Sequence, residues 1–245
     1  MTASLNRAVF FDHVRKPLFG GSLTAEQVQG MDAIFDACPA ALPTDPLAYV
    51  LATTFHETAR TMQPIEEYGR GKGRAYGKTG FWGRGFVQLT WDYNYRKATT
   101  ELRKLGVLTA AEDLVKTPAL AMRMDVAATI LFHGMTSGWF TAKKLSDYFG
   151  HGKSNPKGAR AIINGTDKAS LIAGYFTQFR AALIAAKHGA ATEPAAAAST
   201  SPAASAAPAK PKPVADKHAV EPKKPVPVIK RAAPVHHSTT KAKHR

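Results

Sequence analysis

After Gly189 the chain contains no aromatic residue, and nine of its sixteen prolines fall between 190 and 245. A segment of that composition buries too little apolar surface to offset the entropy of ordering it, so residues 190–245 are predicted to be a disordered Ala/Pro/Lys-rich tail. The whole core must then come from residues 1–189, enough for one globular domain. This boundary limits the fold more than any single motif does.

Within 1–189 the apolar residues recur at helical spacing, and no alternating run of useful length interrupts them. Thr24 and Gln27 have the spacing of a capping box ahead of Val28, Met31, Phe35 and Cys38, which predicts a first helix over 25–38. Before it, Val9, Phe10, Phe11 and Val14 form an apolar cluster followed by Pro17 and the Gly20-Gly21 break. Asp45 offers an N-cap and Pro46 suits the first helical position of a second helix, with Leu47, Val50, Leu51 and Thr54 as its stripe. That helix delivers His56 and Glu57 and is expected to end at Pro64.

Seven glycines among arginines and aromatics between 69 and 85 predict an irregular loop or a short strand pair. Thr90 is a candidate cap for a helix over 91–105. Further helical segments are expected to open at Thr117-Pro118, Thr141 and Pro156, and a last one to run over 168–187. The predicted fold class is therefore mainly α, with a small β or loop wing at 66–89.

The net charge is +15. The tail holds 10 basic and 3 acidic residues, leaving 23 basic against 15 acidic in the first 189, so both parts are basic. A polyanionic partner follows, with nucleic acid, anionic membrane and bacterial cell wall all eligible on charge alone. Cys38 is the single cysteine, which rules out an intramolecular disulfide and suits a small core thiol. The N-terminus has no apolar run of signal-peptide length, and no stretch of 18 apolar residues occurs, so a protein made in the cytoplasm without a transmembrane segment is expected.

The chemistry-bearing residues concentrate between Ala52 and Tyr95. Hydrolysis of a glycosidic bond with inversion needs one carboxylic acid and one carboxylate roughly 6.5–9.5 Å apart. Glu57 and Glu66 are candidates, because the turn that Pro64 forces between them brings that separation within reach. Read singly, Glu66 and Glu67 are ordinary solvated carboxylates; Glu57 lies beside an apolar stripe, where burial favours a working acid. His56-Glu57 lacks the second histidine of a zinc protease, since position 60 is Arg60, and no metal or cofactor is called for. The GRGKGR run at 69–74 fits neither a dinucleotide fingerprint nor a phosphate loop. Its arginines and glycines, with the aromatics that follow, suit single-stranded nucleic acid or a sugar ring, with Tyr76, Trp82 or Trp91 stacking and Arg84 and Gln88 among the polar contacts.

Three blocks, His56-Glu57-Thr58 in a helix, FWGRGFVQLTWDYNY at 81–95 and AIINGT at 161–166, resemble the signature blocks of family 19 glycoside hydrolases, which include plant-type chitinases and phage endolysins. The resemblance spans about residues 46–185 and implies a lysozyme-like α-rich catalytic domain. It implies Glu57 as general acid and Glu66 as second carboxylate, with Glu67 a near rival. It also implies Thr90 as the hydroxyl that holds water, and Gln88, Tyr93, Asn94 and Asn164 as substrate contacts. Two features depart from the chitinases: the cysteine set is missing, and Leu171 and Ile172 stand where an arginine is carried in the last helix. The short build resembles the endolysin branch instead. The expectation is a monomeric, endolysin-type muramidase acting on peptidoglycan after release to the wall, its basic tail meeting the anionic envelope. A chitinase and a basic nucleic-acid-binding protein are the alternatives, nucleic acid being the less expected partner.

Overall fold

A computed structural model describes residues 5–189; the predicted tail lies outside the described residues. The helices are α1 (Arg7–Phe19), which was not expected, and α2 (Ala25–Asp36), α3 (Thr44–Glu57), α4 (Asp92–Lys104), α5 (Met124–Ser137) and α6 (Ala169–Ala185), which were. The wing is a two-residue antiparallel pair, β1 (Ile65–Glu66) with β2 (Arg84–Gly85), in which Glu66 faces Arg84 across the ladder. A second small pair, β3 (Phe149–Gly150) and β4 (Lys153–Ser154), was not expected. It occupies the end of a segment predicted to be helical, because Gly150, His151 and Gly152 all take positive φ and turn the chain back. Around it the helix expected over 141–149 is reduced to a 3-10 turn at Leu145–Asp147, and that expected after Pro156 to one at Gly158–Ile162.

α3 is the axis of the core. Leu47, Ala48, Tyr49, Val50, Leu51, Ala52 and Phe55 are all buried, so the helix is covered around its whole circumference rather than along one stripe. α6 packs along it with Ile172, Phe176, Phe179 and Leu183, and α1 packs on α6 with Phe10, Val14 and Leu18. Phe55 is the knot between them: its ring meets Phe19 at 5.1 Å, Tyr175 at 4.8 Å and Phe179 at 5.8 Å, all edge-on. Two residues along the chain from this knot stands Glu57.

Several boundaries moved for identifiable reasons. The apolar cluster at 9–14 belongs to α1, which accommodates Pro17 because the His13 carbonyl left without its helical donor lies on an exposed residue. Asp45 does not cap α3; Pro43 holds that position, and the Asp45 carboxylate accepts from Arg180 Nε and Ser154 Oγ, both at 2.6 Å. α3 also ends before Pro64. Thr58 Oγ1 donates to the Thr54 carbonyl at 2.7 Å and accepts from Met62 N at 3.1 Å, while Ala59, Arg60 and Met62 take positive φ. The resulting tight turn sends the chain from Glu57 toward β1.

α2 holds that turn from outside. The predicted capping box is present, and Gln27 serves twice, accepting from Thr24 N through Oε1 and donating to the Arg60 carbonyl through Nε2 at 3.1 Å. Gly30 faces the Met62 carbonyl so closely that a Cβ there would lie 1.6 Å from the oxygen. We expect Gly30→Ala to displace the turn and destabilise the protein by about 1–3 kcal/mol, as overpacking does. Gly174→Ala on the exposed face of α6, where a Cβ meets nothing within 4 Å, should instead stabilise by roughly 0.5–1 kcal/mol through helix preference. Calorimetric melts that move the same way for both substitutions would contradict this packing.

Candidate active site

Glu57 closes α3 with its side chain fully buried, and it is not a lone charge. Arg160, equally buried, donates through Nη1 to Glu57 Oε1 at 2.7 Å and anchors its Nε on the Asp167 carbonyl at 2.8 Å. An ion pair removed from water is costly unless its geometry and hydrogen bonding are complete, and removing one partner alone from such a pair costs roughly 3–5 kcal/mol. The arginine comes from the 3-10 turn at Gly158–Ile162, between the second small strand pair and α6. Sequence reading missed it, looking for an arginine in the last helix. The available signal was a single cation, Arg160, set among Ala159, Ala161, Ile162 and Ile163 in an apolar stretch.

Glu66 sits at the end of β1, where the strand pairing delivers it to three donors. Trp82 Nε1 donates at 2.7 Å and Arg84 Nε at 3.0 Å to Oε1, and Arg70 Nε donates at 3.1 Å to Oε2. The Trp82 hydrogen bond first, and the charges of Arg84 and Arg70 after it, hold the Glu66 carboxyl below its ordinary range against some desolvation. It is therefore a carboxylate at neutral pH. The next residue, Glu67, lies past the end of β1 and takes different partners. Its carboxylate accepts from the Tyr76 hydroxyl at 2.9 Å and from Gly83 N at 3.0 Å, and burial together with that bond pushes the Tyr76 phenol up to about 12.

Arg84, expected among the sugar contacts, is buried and supports the wing. It donates through Nη1 to the Gly80 carbonyl at 3.1 Å and the Tyr95 hydroxyl at 3.0 Å, and its guanidinium lies over the Trp82 ring at 4.5 Å from the centroid. Tyr95 in turn donates to the Trp82 carbonyl at 2.8 Å. Trp82 and Tyr95 thus fix Glu66 through contacts that spacing did not indicate.

The remaining predicted residues follow β2. Gln88 takes φ 57° and donates through Nε2 to the Ile65 carbonyl at 3.1 Å, tying it to β1. Thr90 is half-buried, and Asn94 Nδ2 donates to its carbonyl at 2.9 Å. Trp91, rather than Thr90, caps α4 with φ 69°; its N–H donates to the Phe81 carbonyl, and its own carbonyl accepts from Asn94 and Tyr95. Tyr93 is 54% exposed and stacked on Trp91, whose edge meets Tyr76. Asn164 is half-buried just after the Arg160 turn and donates its backbone N–H to the Arg160 carbonyl at 2.9 Å. Non-glycine residues with positive φ, Ala59, Arg60, Met62, Gln88 and Trp91, flank both carboxylates, the sort of backbone strain that concentrates at functional sites. Among the described residues no three His, Cys, Asp or Glu side chains gather where they could hold a metal ion, and no helix is long and apolar enough to cross a membrane. Burial pushes the Cys38 thiol up to about 11, so it stays protonated.

No family model matches the chain, and no curated protein does. Among solved structures it is similar to chitinase C from Streptomyces griseus HUT6037, at 23% identity and a TM-score of 0.42, over 73% of this chain and 76% of that one. A mutant of chitinase C gives 21% identity and a TM-score of 0.44 over the same shares. Likeness of this degree decides neither the activity nor the substrate.

The clamp on Glu66 can be tested by titration. Trp82→Phe removes the first of its donors, so the Glu66 carboxyl should move back up toward the ordinary glutamate value in a carboxyl-detected NMR titration. With a folded value below the unfolded one, Glu66 contributes stability above the ordinary carboxylate range and loses it as pH falls through the folded value. In Trp82→Phe that window narrows from its acid side. An unchanged titration would mean that Arg84 and Arg70 hold the carboxylate without the indole.

Proposed function

We propose that the protein is a glycoside hydrolase of lysozyme-like build that cuts β-1,4 bonds of peptidoglycan, with Glu57 as general acid and Glu66 as general base. The observation that carries this reading is the unequal treatment of the two carboxyls. One is buried at the end of the core helix against Arg160; the other is half-exposed and held ionised by Trp82, Arg84 and Arg70. Arginine pairing favours the charged form of both; Glu57 alone is also fully buried, which favours protonation and suits the acid, while half-exposed Glu66 suits the base.

In the proposed reaction Glu57 gives its proton to the glycosidic oxygen as the bond to the anomeric carbon breaks. Glu66 takes a proton from water as that water attacks the opposite face, inverting the anomeric configuration. Arg160 is a positioning residue that fixes the Glu57 carboxyl from inside the protein. Thr90 supplies the hydroxyl that orients the water, and Gln88, Tyr93, Asn94 and Asn164 contact the sugar amides and hydroxyls. The motif resemblance at 56–58, 81–95 and 161–166 supports the same roles.

Glu57→Gln keeps the size of the acid but cannot donate its proton, so turbidity loss of a cell-wall suspension should slow by ~10²–10⁴. Glu66→Gln should be severely impaired and Glu67→Gln mild, and NMR of fresh product should show inversion. Wild-type lysis by Glu57→Gln would remove the mechanism; a reversed order for Glu66 and Glu67 would move the base by one residue. Release from chitin without release from peptidoglycan would make the enzyme a chitinase.

The tail, with 10 basic and 3 acidic residues, is proposed to draw the enzyme to the anionic wall after the protein leaves the cytoplasm in which it is made. Deleting 190–245 should slow lysis of whole walls at low salt, leave hydrolysis of soluble fragments unchanged, and lose its effect as salt screens the charges. Equal wall binding by both forms at low salt would defeat this role.

A further inference from the structure

The connection from β1 to β2 holds a charged hollow for which acid–base chemistry at Glu57 and Glu66 has no use. Residues 68–80 carry Arg70, Lys72, Arg74 and Lys78 and no acidic side chain. Arg70 is engaged with Glu66. Lys72, Arg74 and Lys78 have no ion-pair partner among the described residues, although like charges so close in sequence repel one another unless an anion is present.

The backbone beneath these cations is folded tightly on itself. Gly71 and Gly77 touch main chain to main chain: a Cβ on Gly77 would lie 2.1 Å from the Gly71 oxygen, and one on Gly71 would lie 2.7 Å from the Gly77 Cα. Successive turns from Gly69 to Lys72, Gly71 to Arg74 and Arg74 to Gly77 fold the loop back, and an open hollow of about 460 Å³ lies against it. That volume is in the range of small-ligand sites, roughly 300–1,000 Å³. Lys72, Arg74 and Lys78 line it together with Gly73 and Ala75. The hollow lies near the wing, because Gly71 lies against the ring of Tyr76, whose hydroxyl holds Glu67, and follows Arg70, which holds Glu66.

We infer that this hollow is a subsite for carboxylates borne on the glycan itself, those of the peptide stems on alternate sugars of peptidoglycan. It would select the acidic polymer over neutral poly-N-acetylglucosamine, which offers the three cations no counter-charge. The inference rests on the glycosidase reading for its ligand, but binding at the hollow needs no turnover, so the two can fail separately.

The test uses the full isotopically labelled chain and two probes that differ in charge: a peptidoglycan disaccharide carrying its tetrapeptide stem, and a tetramer of N-acetylglucosamine. The stem-bearing disaccharide should shift the amides of residues 71–78, and the neutral tetramer should leave them in place. The triple variant Lys72→Ala, Arg74→Ala, Lys78→Ala should weaken the stem-bearing probe about tenfold, in keeping with three exposed charge pairs, and leave the tetramer's affinity unchanged. The difference should shrink at high salt. Equal shifts from both probes, no shift from either, or an unaltered affinity in the triple variant with its melting curve intact would overturn the subsite. Stem binding in the hollow by a protein that lyses no wall would keep the subsite and refute the hydrolase.

Discussion

The candidate site depends on one buried ion pair. Glu57 and Arg160 have almost no solvent access, lie 2.7 Å apart and come from segments separated by 103 positions in the chain. Their pairing links the end of the core helix to the turn that precedes α6, and α6 in turn packs along the same core helix. A carboxylate at a helix C-terminus meets the negative end of the helix dipole, and here it is also cut off from water. Arg160 answers both penalties, and its second hydrogen bond, to the Asp167 carbonyl, keeps the guanidinium from turning away.

The wing solves a different problem by different means. Its strands are two residues long, too short to be stable by themselves, so side chains rather than the ladder keep it in place. Arg84 gathers the Gly80 carbonyl, the Tyr95 hydroxyl and Glu66 about one buried guanidinium, and Gln88 ties the return of the chain back to Ile65. The result is a carboxylate with fixed donors on one oxygen and an exposed arginine on the other. Rigid support from the core and a partly open face at the wing are compatible because different elements supply them.

Charge divides along the same line. Inside the domain every described buried arginine is committed: Arg160 to Glu57, and Arg84 to Glu66. Lys72, Arg74 and Lys78, which enter no ion pair among the described residues, lie together on the loop beside the wing, where a polymer substituent rather than a protein group would meet them. A net positive protein of this kind gains encounter rate with any polyanion, and the loop adds cations close to the wing that holds Glu66.

The sequence by itself determined the mainly helical class, the capping box on α2, the last helix, a loop or short strand pair at the wing and the choice of the two carboxyl candidates. Each of these is written in neighbours a few positions apart, through spacing, caps and glycines, and such signals survive without knowledge of the fold. Tertiary structure decided the rest. Asp45 has the residue type of a cap, yet Arg180 and Ser154 claim its carboxylate; residues 141–164 have helical content, yet they fold into 3-10 turns and a hairpin. Arg84 read as a ligand contact and became internal support, while the one local sign of Arg160, a cation in an apolar stretch, did not name its partner. For Asp45, Arg84 and Arg160 the physical reason is common: which partner a charged side chain takes is settled by residues distant in sequence, and a buried charge must have one.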